Sequence, residues 1–271
     1  MGRNSYALRV DPGEKVSLEK LRPDDTAGYS SRAEVEKEFL ELTGELQALQ
    51  QRLYAARSAS LLVVLQATDT AGKDGVIRKV LGPLDSRGFH VWSFKAPTEE
   101  EREHDFLWRL HAKTPRAGEI AVFNRSQYED IVAVRLGKLL PKERWSRRYE
   151  SINHFERMLV QEGTTVLKIF LHISKAEQAR RLRERLEDPA RRWKFDPQDL
   201  KVREQWEEQH EAYEDVLERC STDHAPWWVV PADRKWFRDL AVAQLLVRTL
   251  RDMAPQFPEP TWDWRSFKVQ D

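Results

Sequence analysis

Residues 61–75 read Leu-Leu-Val-Val-Leu-Gln-Ala-Thr-Asp-Thr-Ala-Gly-Lys-Asp-Gly, and this stretch constrains the fold most. Five apolar residues, 61–65, predict a short buried strand. Small and polar residues over 67–72 turn the chain, and Lys73 opens a helical pattern. Strand, small-residue loop and helix start make an anion cradle. Its backbone N–H groups point inward and the helix N-terminus adds partial positive charge. Lys73 brings a full charge on a flexible stem. This is the geometry of a P-loop, with Thr70, Ala71, Gly72, Lys73, Asp74 and Gly75 as the expected phosphate-binding residues.

The usual spacing is G-x-x-x-x-G-K-[ST]. Here Ala67 stands at the first glycine and Asp74 at the hydroxyl residue that holds Mg²⁺. An ordinary strand-to-helix turn is the plain alternative. Asp69 and Asp74 weigh against it, because carboxylates in an anion loop repel phosphate unless a divalent cation lies between them.

Such a strand needs helices on both faces, and 271 residues at 40% hydrophobic suffice for one large α/β domain or two small ones. A formal net charge of zero gives no global field to gather nucleic acid, so no nucleic-acid partner is expected. The single Cys220 excludes an internal disulfide and suits a reducing cytosol. The absence of a membrane-length apolar run or signal-peptide core predicts a cytoplasmic chain with no membrane partner.

Four more apolar runs, 89–95, 120–124, 165–173 and 227–231, alternate with helical patterns. They predict a five-stranded parallel sheet in a three-layer α/β/α sandwich of P-loop kinase-like type. Residues 1–30 read as an extended arm, either a loose tail or a segment packed across the domain or a neighbouring subunit. Residues 31–255 form the domain, with a helical lid at about 175–200, and 256–271 a Pro- and Trp-rich tail. Val35, Phe39, Leu42, Leu46, Leu49 and Leu53 stripe one long helix, for core packing or a subunit contact. Capping boxes are expected at Ser31 with Glu34, Thr98 with Glu101 and Ser174 with Glu177. A single helix is expected from Asp196 to about Cys220, and Asp233 is expected to cap the last helix. His104 and His111 have no partners at metal spacing and read as structural.

Asn124, Arg125 and Ser126 fall at the carboxyl end of the third strand, where P-loop enzymes often place an acid that helps hold Mg²⁺. Asn124 is either a neutral ligand there or a helix N-cap. Glu129 can restore the missing charge, and Arg125 can clamp a transferring phosphoryl group. Lys95 ends the second strand, the edge where open α/β sheets bind ligands. Arg78 and Lys79 lie one to two turns from the cradle. Arg181 and Arg185 are like charges four apart on one helix, unfavourable without an anion between them. With Lys194 they mark a basic lid able to exclude water.

Jointly, residues 68–75, 93–97, 104–109, 124–126, 177–194 and 227–233 resemble the polyphosphate kinase 2 family over roughly 30–250. The family itself uses Gly-Lys-Asp in its phosphate loop. The resemblance implies reversible transfer of the terminal phosphoryl of inorganic polyphosphate to AMP and ADP, forming ADP and ATP. It implies Asp69, Lys73 and Arg125 as catalytic, with Asn124 and Glu129 beside them. Mg²⁺, or Mn²⁺ in its place, would sit on Asp69 and Glu129. Lys95, Pro97 and Arg109 would lie near the nucleotide, and Arg78, Lys79, Arg181, Arg185 and Lys194 along the polyphosphate path. Many members carry Asp where this chain has Asn124, so whether Asn124 or Glu129 completes the metal set stays open. A homo-oligomer is expected. The rival readings are an ATP-dependent nucleoside or nucleotide kinase and a non-enzymatic nucleotide-binding module.

Overall fold

The computed structural model describes residues 6–269. In chain order the elements are β1 (Leu8–Val10), α1 (Arg32–Ala56), β2 (Ser60–Ala67), α2 (Lys73–Val76), β3 (Phe89–Ser93), α3 (Glu99–Glu103), α4 (Trp108–His111), β4 (Ile120–Asn124), α5 (Glu129–Leu136), α6 (Lys142–Trp145), α7 (Arg148–Gln161), β5 (Thr164–His172), α8 (Lys175–Glu187), α9 (Pro197–Glu204), α10 (Trp206–Cys220), β6 (Trp227–Pro231) and α11 (Lys235–Met253).

Each of the five expected strands forms, and β2 is buried along its whole length between β5 and β4. Its alternating side chains feed two cores. Leu61, Val63 and Leu65 pack in a cluster with residues of α1 and α11, while Leu62 and Val64 join residues of α5, α7 and α10. That is the three-layer sandwich, and it explains why β2 reads as a continuous apolar run. Among the described residues no helix is long and apolar enough to cross a membrane.

The sheet has six strands, in the order β1-β6-β5-β2-β4-β3, not five, and it is not wholly parallel. The N-terminal arm supplies the extra one: Leu8, Arg9 and Val10 pair antiparallel with Val229, Trp228 and Trp227. Only Val10 of the three is buried, too little to show as a hydrophobic pattern. The arm continues over its own domain, where buried Leu18 donates its N–H to Glu214 at 2.7 Å.

Local expectations differ at four places. The helix after the phosphate loop tightens only through Val76, then widens into a π-helical turn, Ile77–Leu81. The expected 196–220 helix breaks at Gln205 into α9 and α10. Glu34 reaches back to the N–H of Ser30 and the hydroxyls of Ser30 and Ser31, so Ser31 caps nothing itself. Asp233 accepts the N–H of Ser174 at 2.8 Å instead of capping α11, tying the start of α8 to the end of β6. The Thr98–Glu101 capping box is complete. At Ser174 the hydroxyl accepts from the N–H of Glu177, but the Glu177 carboxylate turns to Arg180 and Arg181. His104 stacks on Trp108 and His111 meets Phe155 edge-on, both packing roles.

Candidate active site

The β2–α2 turn stands at the carboxyl end of the sheet. Thr70 takes φ +66° and Gly72 φ +109°, so two left-handed residues curl the chain before Lys73. Gly72 is required for space as well as conformation, since a Cβ there would fall inside the guanidinium of Arg238, and one at Gly75 would lie 2.9 Å from the same group. Arg238, buried on α11, donates to the Ala71 carbonyl at 3.1 Å and pairs with Asp239. Arg181 approaches from α8. It donates to the carbonyls of Thr70 and Ala71, each at 3.0 Å, and to those of Ala232 and Asp233, with Glu177 taking its Nε at 2.7 Å. Two cations therefore grip the back of the loop by its carbonyls, leaving the first N–H groups of α2 for the opposite side.

The front of the loop opens onto a cavity of 310 Å³ walled in part by α9 and α10. Asp69, Arg125 and Glu129 line it together with Asp196, the N-cap of α9, and Asp199 of α9. Arg125 leaves β4 in a left-handed conformation, φ +63°, which swings its side chain to Asp69 at 3.3 Å. Lys73 touches only the Ala67 carbonyl, at 3.2 Å. Desolvation lowers its pKa, and the charges of Asp69, Glu129 and Asp74 oppose that shift. Desolvation raises the Glu129 pKa against the pull of Arg125 and Lys73. Asp199 is pushed up to about 6, by burial first and then by Asp69. These are mutually compensating charges with few fixed partners, in a concavity between the loop and helices α9 and α10. Val132, Ala133, Leu136 and Val202 give the same cavity an apolar wall.

Asn124 is not a helix N-cap, because Tyr128 occupies that position. Its amide donates to Asp74 at 3.0 Å and to Ser93 at 3.3 Å, linking the phosphate loop to the ends of β4 and β3. Lys95 is exposed just beyond β3, and its carbonyl takes a 2.7 Å bond from Arg109. Arg109 is buried and held by Asp130 at 3.2 Å and Glu101 at 3.5 Å, with Phe94 beneath it. It organises the Lys95–Pro97 turn, whose Pro97 carbonyl is taken by Arg102. Arg78 and Lys79 are exposed, Lys79 lying 3.6 Å from Asp239.

Arg181 does not line an anion path. It is 5% exposed and its donors are engaged by backbone carbonyls and Glu177, which supply the neutralisation that the like-charge spacing with Arg185 demanded. Arg185 is more loosely held, by the Lys194 carbonyl at 3.2 Å and Asp199 at 3.3 Å. Lys194 lies over the Trp193 ring. Arg238, Asp199, Gln178, which donates to the Asp69 carbonyl, and the Tyr213 hydroxyl, which donates to the Ala67 carbonyl, receive no site role from the sequence. Only Asp199, three residues into a capped helix, carried even a weak signal.

Among the described residues no group of three or more His, Cys, Asp and Glu side chains gathers as a self-sufficient metal site. The donor set nevertheless fits Mg²⁺, which takes one or two carboxylates and completes its shell with phosphate oxygens and water. Asp69 and Glu129 face one cavity, and the buried Thr68 and Thr70 hydroxyls beside Asp69 have no protein partner.

A phosphate loop, a cation at its mouth and carboxylates facing the same hollow define a phosphoryl-transfer enzyme. Residues 29–258 match the family model of polyphosphate kinase 2. An AMP/ADP-polyphosphate phosphotransferase of Meiothermus ruber is 47% identical over 93% of this chain and 95% of its own length. An ADP-polyphosphate phosphotransferase of Rhodopseudomonas palustris is 39% identical over 94% and 92%. The crystal structure of polyphosphate kinase 2 from Arthrobacter aurescens superposes with a TM-score of 0.91 at 40% identity, covering 95% of this chain and 93% of that one. The chain belongs to the polyphosphate kinase 2 family and is a phosphotransferase.

Proposed function

We propose that this enzyme transfers the terminal phosphoryl of inorganic polyphosphate to AMP and to ADP, and runs in both directions. The observation that carries the reading is the convergence of Asp69, Arg125 and Glu129 on one hollow at the carboxyl ends of β2 and β4, with Lys73 near enough for its charge to interact with all three. The acceptor is the terminal phosphate of the nucleotide, already anionic at neutral pH because its second pKa is about 6. No side chain has to remove a proton. The acceptor oxygen bonds to phosphorus as the donor anhydride breaks, and the charge passes to the shortened polyphosphate. For ADP one anhydride replaces another, which favours reversibility.

The obstacle is repulsion between two polyanions, and positioning and charge neutralisation remove it. Lys73 and Arg125 bind the oxygens of the transferring group. Asp69 and Glu129 would hold Mg²⁺ or Mn²⁺, which supplies the remaining neutralisation between the two phosphates. Asn124 stays bonded to Asp74 and orients the loop. The lid over 175–200 excludes water. Arg185, Lys194, Arg78 and Lys79 are assigned to the polyphosphate, and Lys95, Pro97 and the residues 70–75 to the nucleotide and its phosphates. Arg109 holds the turn that carries Lys95 and Pro97. A homo-oligomer fits the exposed Trp262, Trp264 and Phe267 of the tail, and a cytosolic location fits the buried lone Cys220.

The test is incubation of the purified enzyme with polyphosphate, AMP and Mg²⁺ and no ATP. ATP formation is expected. An ATP-dependent kinase or a binding module would give none.

A further inference from the structure

Arg125 and Glu129 face the hollow, but the two residues before Glu129 point the other way. Gln127 and Tyr128 are fully buried. The Gln127 amide donates to Glu156 Oε1 at 2.9 Å and the Tyr128 hydroxyl to the same atom at 2.7 Å. Glu156, on α7, and Lys168, in the middle of β5, are both wholly buried and paired at 2.6 Å. The ammonium also donates to the Tyr128 hydroxyl at 3.0 Å and to the Cys220 carbonyl at 2.5 Å, and lies over the Trp227 ring. Every partner sits on a different element of the rigid core: α7, β5, α10 and β6.

A buried ion pair is a poor source of stability, since its desolvation offsets its attraction and a well-packed apolar pair often serves as well. What this pair does have is three side-chain bonds into a five-residue stretch that begins with Arg125 in a left-handed conformation and ends at Glu129. We propose that the buried Glu156–Lys168 pair is a positioning device for phosphoryl transfer, holding Gln127 and Tyr128 so that Arg125 and Glu129 meet the transferring phosphoryl group. Glu156, Lys168, Gln127 and Tyr128 touch no substrate. They act through the backbone of the β4–α5 loop.

The inference rests on the assignment of Arg125 and Glu129 to the reaction. Its test compares paired replacements in the full-length enzyme. Glu156→Leu with Lys168→Met removes both charges and all three loop bonds but keeps apolar packing. The expected result is a thermal midpoint near that of the wild type, kcat lowered about 10- to 100-fold and KM for ADP and polyphosphate within about twofold, the signature of a lost transition-state interaction. Glu156→Gln with Lys168→Met restores the acceptor oxygen and is expected to recover most of kcat. Tyr128→Phe leaves the ion pair intact and is expected to lower kcat about fivefold. In an Arg125→Ala background Tyr128→Phe is expected to cost little more, because the two act through one group.

A folded Leu/Met enzyme with wild-type kcat overturns the inference. Should that variant fail to fold, Tyr128→Phe decides: normal kcat overturns the inference, a reduced kcat at unchanged KM supports it. Arg125→Ala separates the two levels. Normal turnover in Arg125→Ala removes the premise, whereas slow Arg125→Ala beside normal Tyr128→Phe removes only the anchor.

Discussion

The two sides of the phosphate loop carry similar charge and use it in opposite ways. Behind the loop, Arg181 and Arg238 are buried and their donors are engaged by carbonyls, Glu177 and Asp239. In front, Lys73 has one carbonyl contact at 3.2 Å and Arg125 one carboxylate at 3.3 Å. A cation whose hydrogen bonds are all satisfied within the fold holds shape. One left loosely paired in a hollow remains available to a ligand. Sequence spacing counts both kinds alike, which is why Arg181 looked like a ligand residue.

The sharpest way to break this contrast is at the front. Asp69→Asn and Lys73→Ala are each expected to lower kcat about 10³-fold or more with the fold unchanged by circular dichroism. Near-normal turnover in either would strip that residue of its role. Behind the loop the expected order is reversed, with stability lost before chemistry. Arg238→Met is expected to lower stability by about 2–4 kcal/mol, because Asp239 loses its nearest cation and keeps the more distant Lys79, and the Ala71 carbonyl loses a donor; denaturant unfolding measures it. Smaller again is the path. Arg185→Ala is expected to raise the KM for polyphosphate about three- to tenfold while the KM for ADP stays put. A shift in the ADP value alone would move Arg185 to the nucleotide.

The smallest expected effect is away from the site. His210, packed between Trp206 and His172, is held down to about 4 by burial and then by His172. Between 6.5 and about 4 the unfolded chain takes a proton that the folded chain refuses, so stability falls as pH drops through that window. His210→Gln is expected to shrink the loss of Tm between pH 7 and pH 5 by about 4 °C. An unchanged pH profile would show that His210 charges in place.

Much of the fold was legible because burial on two faces forces continuous apolar runs: β2 and β5 could hardly be anything else. The phosphate loop was legible because backbone anion binding demands small residues and Lys73 at fixed spacing. β1 escaped because a three-residue edge strand with one buried side chain has no period. Lys168 escaped because one charge inside an apolar strand looks like a surface position, while its partners lie on α7, in the β4–α5 loop and at the end of α10, outside its own strand. Arg238 stands 167 residues from the carbonyl it grips, and no local pattern records that distance. Asp199 was hidden for the same reason, since only folding brings α9 to Asp69.

Whether a divalent cation bridges Asp69 to phosphate, as proposed, is tested directly by calorimetric titration of ADP. In the wild type Mg²⁺ is expected to tighten ADP binding at least about tenfold. In Asp69→Asn the gain is expected to vanish, and without Mg²⁺ that variant is expected to bind ADP more tightly than the wild type, because a repelling carboxylate is gone. Equal Mg²⁺ dependence in the two proteins would contradict the account.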